Sequence, residues 1–289
     1  MGKFRLLLLL LLLALAGPVL FGPASAKSDW VEDDSPGNVQ GATGNTQGSG
    51  TIKVDKSSGG ITLQMGVSHA DQLKPIPFKL QIGEIFDERI LRAPTRYNWY
   101  RIPEWLAGKW KREQESIVSS HDFSTGYTQR MNKSIQSQQV ADWGVQRDAK
   151  GEIWNCNLSM KGMSNRGSYK SVALVREQMP VKWDKQNHRI VFKEQFVVLH
   201  VMHETNAIMD SYIVESLTQY RPVKRGLLET MMSVKIYNAD GTPKMRQENR
   251  AFDRMVTPYS SVDKYKGVDV RADFERFLSE NNLGDLIGN

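Results

Sequence analysis

The sequence predicts a mainly β protein: an antiparallel up-and-down β-barrel of about eight or nine strands with a C-terminal helix, a β-sandwich being the alternative. Three observations predict it. From Lys109 onward apolar and polar side chains alternate with the period of two that a strand imposes, and no stretch before the tail repeats at helical spacing. The apolar runs are short and separated by turn-forming clusters at 147–151, 184–187 and 238–243, which suits hairpins rather than βαβ crossovers. Only Val268 to Leu283 departs, with Val270, Phe274, Phe277 and Leu278 on one helical face.

Ahead of that block the chain divides by composition. Residues 1–26 read as a signal peptide: Lys3 and Arg5 form a basic start, Leu6 to Leu15 an apolar core, and Ala24-Ser25-Ala26 a small-x-small cleavage site. Cleavage after Ala26 is expected to leave a secreted or periplasmic chain with no membrane-spanning segment. Residues 27–60, rich in Gly, Ser, Asn, Gln and Asp, carry too little apolar surface to offset the entropy of ordering and read as a flexible tether. Residues 61–100 are expected to form an extension packing on the barrel. In it Ile76, Phe78, Leu80 and Ile82 alternate like a strand, and Asp87 to Leu91 suits a short helical turn. Residues 101–289 form the barrel domain with its terminal helix.

In the first long strand, Lys109 to Val118, alternation places Trp110, Arg112, Gln114, Ser116 and Val118 on the inner face and Lys111, Glu113, Glu115 and Ile117 on the outer. Val140 to Gln146 and Glu152 to Met160 follow as a pair around a turn ending at Gly151, with Trp154, Cys156, Leu158 and Met160 sharing an apolar face. Ser171 to Met179, stopping before Pro180, pairs with Arg189 to Met202. Ala207 to Tyr220 is rich in β-branched and aromatic residues. Gly226 to Tyr237, with Leu228, Thr230, Met232, Val234 and Ile236 on one face, returns through Asn238–Pro243 into Lys244 to Met255.

At Ile102-Pro-Glu-Trp-Leu-Ala-Gly-Lys-Trp110 the chain resembles the opening of the calycin superfamily, the lipocalins and their relatives. The resemblance implies a helical turn over Pro103 to Ala107, a Gly-x-Trp motif at Gly108 and Trp110, and a tryptophan at the closed end of the barrel. It also implies a basic side chain from late in the barrel lying across that indole, for which Arg250 and Arg254 are the candidates. A small apolar or amphiphilic ligand in the lumen is the function it implies.

The residues themselves narrow the function by exclusion. The formal net charge is +6, and two of its cations, Lys3 and Arg5, belong to the leader. No Lys/Arg cluster is dense enough to track a phosphate backbone, so no nucleic-acid partner is expected. The single cysteine, Cys156, has no intramolecular partner and sits mid-strand on an apolar face, where a structural thiol is expected. His200-x-x-His203 points its imidazoles to opposite faces of a strand, so neither a metal nor a catalytic set is assigned, and no cofactor. The candidate ligand contacts are Arg112, Gln114, Trp143 and Trp154. Inward Arg112 must either meet a polar ligand, such as an acidic head group, or pair with an inward carboxylate, Glu194 or Asp142. The expected function is exported, non-enzymatic binding of a small apolar or amphiphilic molecule. The alternative is an accessory protein of a cell-envelope assembly that uses a filled barrel or sandwich for docking.

Overall fold

The computed structural model describes residues 66–90, 96–159 and 161–288; the leader and tether expected at 1–26 and 27–60 lie outside the described residues. Among the described residues, thirteen strands and one α-helix follow in order: β1 (Tyr100–Ile102), β2 (Gly108–Asp122), β3 (Thr128–Trp143), β4 (Gln146–Arg147), β5 (Ile153–Asn155), β6 (Lys161–Arg166), β7 (Tyr169–Asp184), β8 (Arg189–Met202), β9 (Ile208–Lys224), β10 (Leu227–Tyr237), β11 (Pro243–Pro258), β12 (Lys264–Tyr265), β13 (Val268–Asp269) and α1 (Val270–Glu280).

Eight of the strands form one antiparallel sheet in the order β3-β2-β11-β10-β9-β8-β7-β6, curled into a half-barrel. Six hairpins give this meander its up-and-down course, and the pairing of first strand β2 with last strand β11 brings its two ends together. The curl stays open between β3 and β6. Among the described residues, β3 pairs only with β2, and β7 beyond Leu174 pairs only with β8. The fold is therefore the antiparallel, helix-ended β structure that alternation predicts, with one unpaired side. Pro180, expected to end its strand, lies inside β7 beside a register shift, in the one-sided stretch. An edge or bulge is where a strand tolerates a residue without an N–H.

A β-bulge changes the inner face from the one alternation assigns. The β2–β3 register shifts between Arg112 and Gln114, and the β11–β2 register shifts between Ala251 and Asp253. One extra residue on β2 sends Glu113 and Gln114 both outward and returns Glu115 and Ile117 to the interior, so Gln114 is exposed and Val118 points out.

The inner side chains fill the curl in layers. The end carrying Trp110 holds Trp143, Phe192, Tyr220, Ile102, Leu106, Ile153 and Leu228, and the other end holds Phe196, Val198, Tyr212, Val214, Met232, Val234, Ile236 and Met245. Between them lies a polar band. On the outer face, residues 66–90 run as an irregular strap across the sheet, held by Leu73 N to Gly241 O (3.0 Å), Ile76 N to Ala239 O (2.8 Å) and Phe86 N to Asn206 O (2.8 Å). The alternation of Ile76 to Ile82 is not a strand: Phe78 to Leu80 form a 3-10 turn that buries Ile76 and Leu80 and leaves Phe78 and Ile82 exposed. Ile76, Leu80 and Phe86 pack on Val172, Leu174, Val197, Leu199 and Tyr237.

A second layer stands beside the Trp110 end. Sheet β1-β5-β4 and helix α1 enclose Tyr97, Trp99, Val145, Trp154, Cys156, Val270, Phe274 and Leu278. Asp269 caps α1 by accepting from Ala272 N at 2.9 Å, which satisfies one of its unpaired first-turn donors. No helix among the described residues is long and apolar enough to cross a membrane.

Candidate functional site

The opening motif has clear mechanical roles. Gly108 adopts φ +134°, and a Cβ there would stand 2.8 Å from the Thr257 carbonyl oxygen, so only glycine fits where β2 meets the end of β11. The 3-10 turn at Glu104–Leu106 then delivers Trp110 to the interior, where its Nε1 donates to the Leu106 carbonyl at 2.7 Å. The cations proposed to cross this indole do not reach it. Met255 is the β11 residue that pairs with Trp110, while Arg250 and Arg254 project from the outer face. Alternation on β11 forces this, because the inward set is Asn249, Ala251 and Asp253. Arg250 lies instead over the Phe252 ring at 5.3 Å and is held by Glu229, to which its Nε donates at 2.7 Å.

Of the four candidate ligand contacts, Arg112 is buried in the polar band with its donors taken. Its Nε and Nη2 donate to the Asp253 carboxylate at 2.8 and 3.0 Å, and its Nη1 meets Glu115 and Gln139 at 3.2 Å each. Burial alone would lower the guanidinium, but Asp253 first and then Glu115 raise it above its ordinary value and hold it charged. The expected partner class, an inward carboxylate, is right, but the residue is Asp253 rather than Glu194 or Asp142. Asp142 faces outward toward Lys109 Nζ at 3.7 Å. The acidic head group suggested for a ligand therefore has no free cation to meet at Arg112. Gln114 is outside, as the bulge dictates. Trp143 belongs to the aromatic plug, 4.6 Å from Phe192 and 5.4 Å from Tyr220. Trp154 lies in the second layer, tilted 5.7 Å from Phe274, with its Nε1 donating to Asp148 at 2.9 Å.

The polar band continues from Asp253 to Thr230, whose hydroxyl donates at 2.6 Å, and from Glu115 through Asn249 to Gln247, which donates to Asn249 at 2.8 Å. Its far side is not self-satisfied. Glu194 accepts from Gln178 Nε2 at 2.6 Å through Oε1, but its Oε2 and the Tyr220 hydroxyl have no hydrogen-bond partner among the described residues. Both side chains are 1% exposed. Burial pushes the Glu194 carboxyl up to about 7, against the opposing pull of Gln178 and Arg112. Tyr220 is raised well above its ordinary value by burial and then by Glu194. A buried polar atom without a partner costs about 1–3 kcal/mol, so each of these two oxygens can take a further hydrogen bond.

Aromatic walls and an approach frame this place. Phe192 and Trp143 pack on Tyr220, and Tyr100 packs on Phe192 and accepts from Asn155 at 2.7 Å. Gln178, half-buried on the one-sided stretch of β7, covers Glu194 from the open side of the curl. Sequence reading named Glu194 only as an ion-pair partner and missed Tyr220, whose inward direction depends on register with β8 and β10. Burial of both faces of β9 hides that alternation.

A second cluster sits under the strap. His69 Nδ1 is 2.9 Å from Glu215, and its Nε2 is 2.9 Å from the Ser233 hydroxyl. A Ser–His–Glu chain is the geometry of acyl transfer. Here, however, Ser233 is buried mid-strand in the ladder and also bonds Glu248, which leaves no face for a substrate. Glu215 also accepts from Ala70 N (3.0 Å), and Lys235 and Tyr237 donate to Ala70 O (2.7 Å each), so the cluster fastens the strap. His200 packs on Tyr169 and Tyr212, with Asp210 3.6 Å away, and no metal-binding group is formed among the described residues. Comparison of the chain with protein-family models, curated proteins and solved structures finds no match.

Proposed function

We propose that this chain is an exported, non-enzymatic, lipocalin-like binding protein for a small amphiphilic molecule, whose uncharged polar group is received by Glu194 and Tyr220 inside the half-barrel. The observation that carries this reading is the pair of unpartnered, fully buried oxygens facing an aromatic wall. A carboxyl near 7 and a phenol each donate or accept, which suits a hydroxyl, carbonyl or amide. With Arg112 neutralised by Asp253 and Glu115, an anionic group would find no uncommitted guanidinium there. Aromatic surface with a few convergent polar groups is the general make-up of small-molecule sites.

Native mass spectrometry of the chain purified from its own host tests this. A retained neutral molecule, lost from the Glu194→Leu and Tyr220→Phe variants, supports it; a clean apo mass with no uptake of neutral amphiphiles defeats it. The second reading, an accessory protein that docks in an envelope assembly, is favoured by the interior packing, in which Ser216, Thr218 and Val234 are buried within a filled curl. A co-purifying polypeptide in place of a small molecule selects that reading.

A further inference from the structure

The outer face of the sheet is covered unevenly. The strap shields β8 to β10, but over β2, β3 and β11 the bulge at Glu113–Gln114 bends the strands and leaves a groove of about 990 Å³. That volume lies at the top of the roughly 300–1,000 Å³ range of small-molecule sites. Its floor and walls are of two kinds. Phe252, 45% exposed, and Val118, 40% exposed, stand with Leu227 as apolar surface, and Lys111, Arg250 and Arg254 bring three cations to the same groove.

The cations differ in how far they are already answered. Arg250 is held by Glu229, which also takes Arg221, and Lys111 lies 3.3 Å from Glu113. Arg254 makes no ion pair or side-chain hydrogen bond among the described residues, and it projects from β11 two residues beyond Phe252 on the same face. An uncommitted guanidinium beside exposed aromatic surface, in a concavity large enough for one molecule, selects a ligand with an anionic head and a hydrocarbon tail. The guanidinium fork matches phosphate or carboxylate oxygens in pairs, and the tail gains from covering Phe252 and Val118.

We infer that this groove binds a single-chain amphiphilic anion, with its head group on Arg254 and Lys111 and its chain along Phe252, Val118 and Leu227. The site is separate from the interior, which faces the opposite side of the sheet and suits an uncharged group, so either assignment can fail without the other.

Isothermal titration of the full chain with monomeric dodecyl phosphate, below its micelle concentration, tests it. Saturable binding that weakens at least tenfold in Arg254→Gln and in Phe252→Ser, and that stays unchanged in Lys264→Gln outside the groove, is the expected result. Both key side chains are exposed, so the variants are expected to fold, which circular dichroism verifies. Dodecyl maltoside, with the tail alone, and inorganic phosphate, with the head alone, are each expected to bind at least tenfold more weakly. Equal affinity for inorganic phosphate, wild-type affinity in both variants, or binding to anionic vesicles but not to the monomer would each overturn the inference.

Discussion

At the level of single residues, the interior is governed by which charges and hydrogen bonds are answered. Arg112 and Asp253 form a two-bond ion pair in which both partners are buried. Removing one partner leaves a charge stranded in low dielectric, so Asp253→Ala is expected to cost about 3–5 kcal/mol in urea unfolding. Replacing both, as Arg112→Met with Asp253→Leu, is expected to recover most of that loss, because two buried ions then need no solvation. If the double variant is as unstable as the single one, the pair is not acting as a unit. Sequence reading could see that an inward arginine needs a carboxylate. It could not see that the carboxylate lies 141 positions away, since that follows from the pairing of β11 with β2.

Glu194 supplies a second residue-scale expectation. Its carboxyl, ordinarily at 4.5, stands at about 7 in the folded chain. A raised folded value means that the native state keeps a proton the unfolded chain has lost. Its contribution is therefore complete below pH 4.5 and disappears as pH climbs through 7, a change of roughly 3 kcal/mol at 1.36 kcal/mol per unit. The variant Glu194→Gln is expected to gain stability relative to the native chain over that window. Comparing the two at each pH isolates this group from His69 and His200, which burial lowers and which therefore act with the opposite sign. A pH-independent difference between the two proteins would show that Glu194 titrates normally.

At the level of elements, two features redirect the fold from what local pattern implies. The β2 bulge is one: a single extra residue turned Glu115 in and Gln114 out, and no periodicity along β2 reveals where such a residue is inserted. The strap is the other. Gly241, at φ +86°, turns the β10–β11 hairpin directly beneath Leu73, and a Cβ there would fall 1.8 Å from the Leu73 carbonyl oxygen. Gly241→Ala is expected to lift the strap at this point, lowering the unfolding midpoint and speeding protease cleavage within residues 66–90. Unchanged cleavage would mean that the strap is held by its other contacts, through Ile76, Phe86 and His69. The turn glycine was legible in the hairpin Asn238–Pro243; the chain crossing above it was not, because nothing local to 238–243 refers to residue 73.

At the level of the whole molecule, the chain builds three layers, strap, curled sheet and helix-capped small sheet, without a covalent cross-link. Its one cysteine lies inside the third layer, where burial and then the Asp273 carboxylate push the thiol well up. Cys156 is expected to be inert to Ellman's reagent in the native chain and to react at once in urea; rapid native-state labelling would show that α1 opens readily. Alternation, turn clusters and the helical spacing of the tail determined that the chain would be an antiparallel meander ending in a helix. These signals are local, because a strand's period and a turn's chemistry act over a few residues. Which side chains face inward past the bulge, which carboxylate answers Arg112, where Arg250 and Arg254 point, and that the curl stays open between β3 and β6 were decided only in three dimensions. Each depends on registers between strands far apart in the chain, and such registers are set by the packing of the assembled sheet rather than by any stretch of sequence within it.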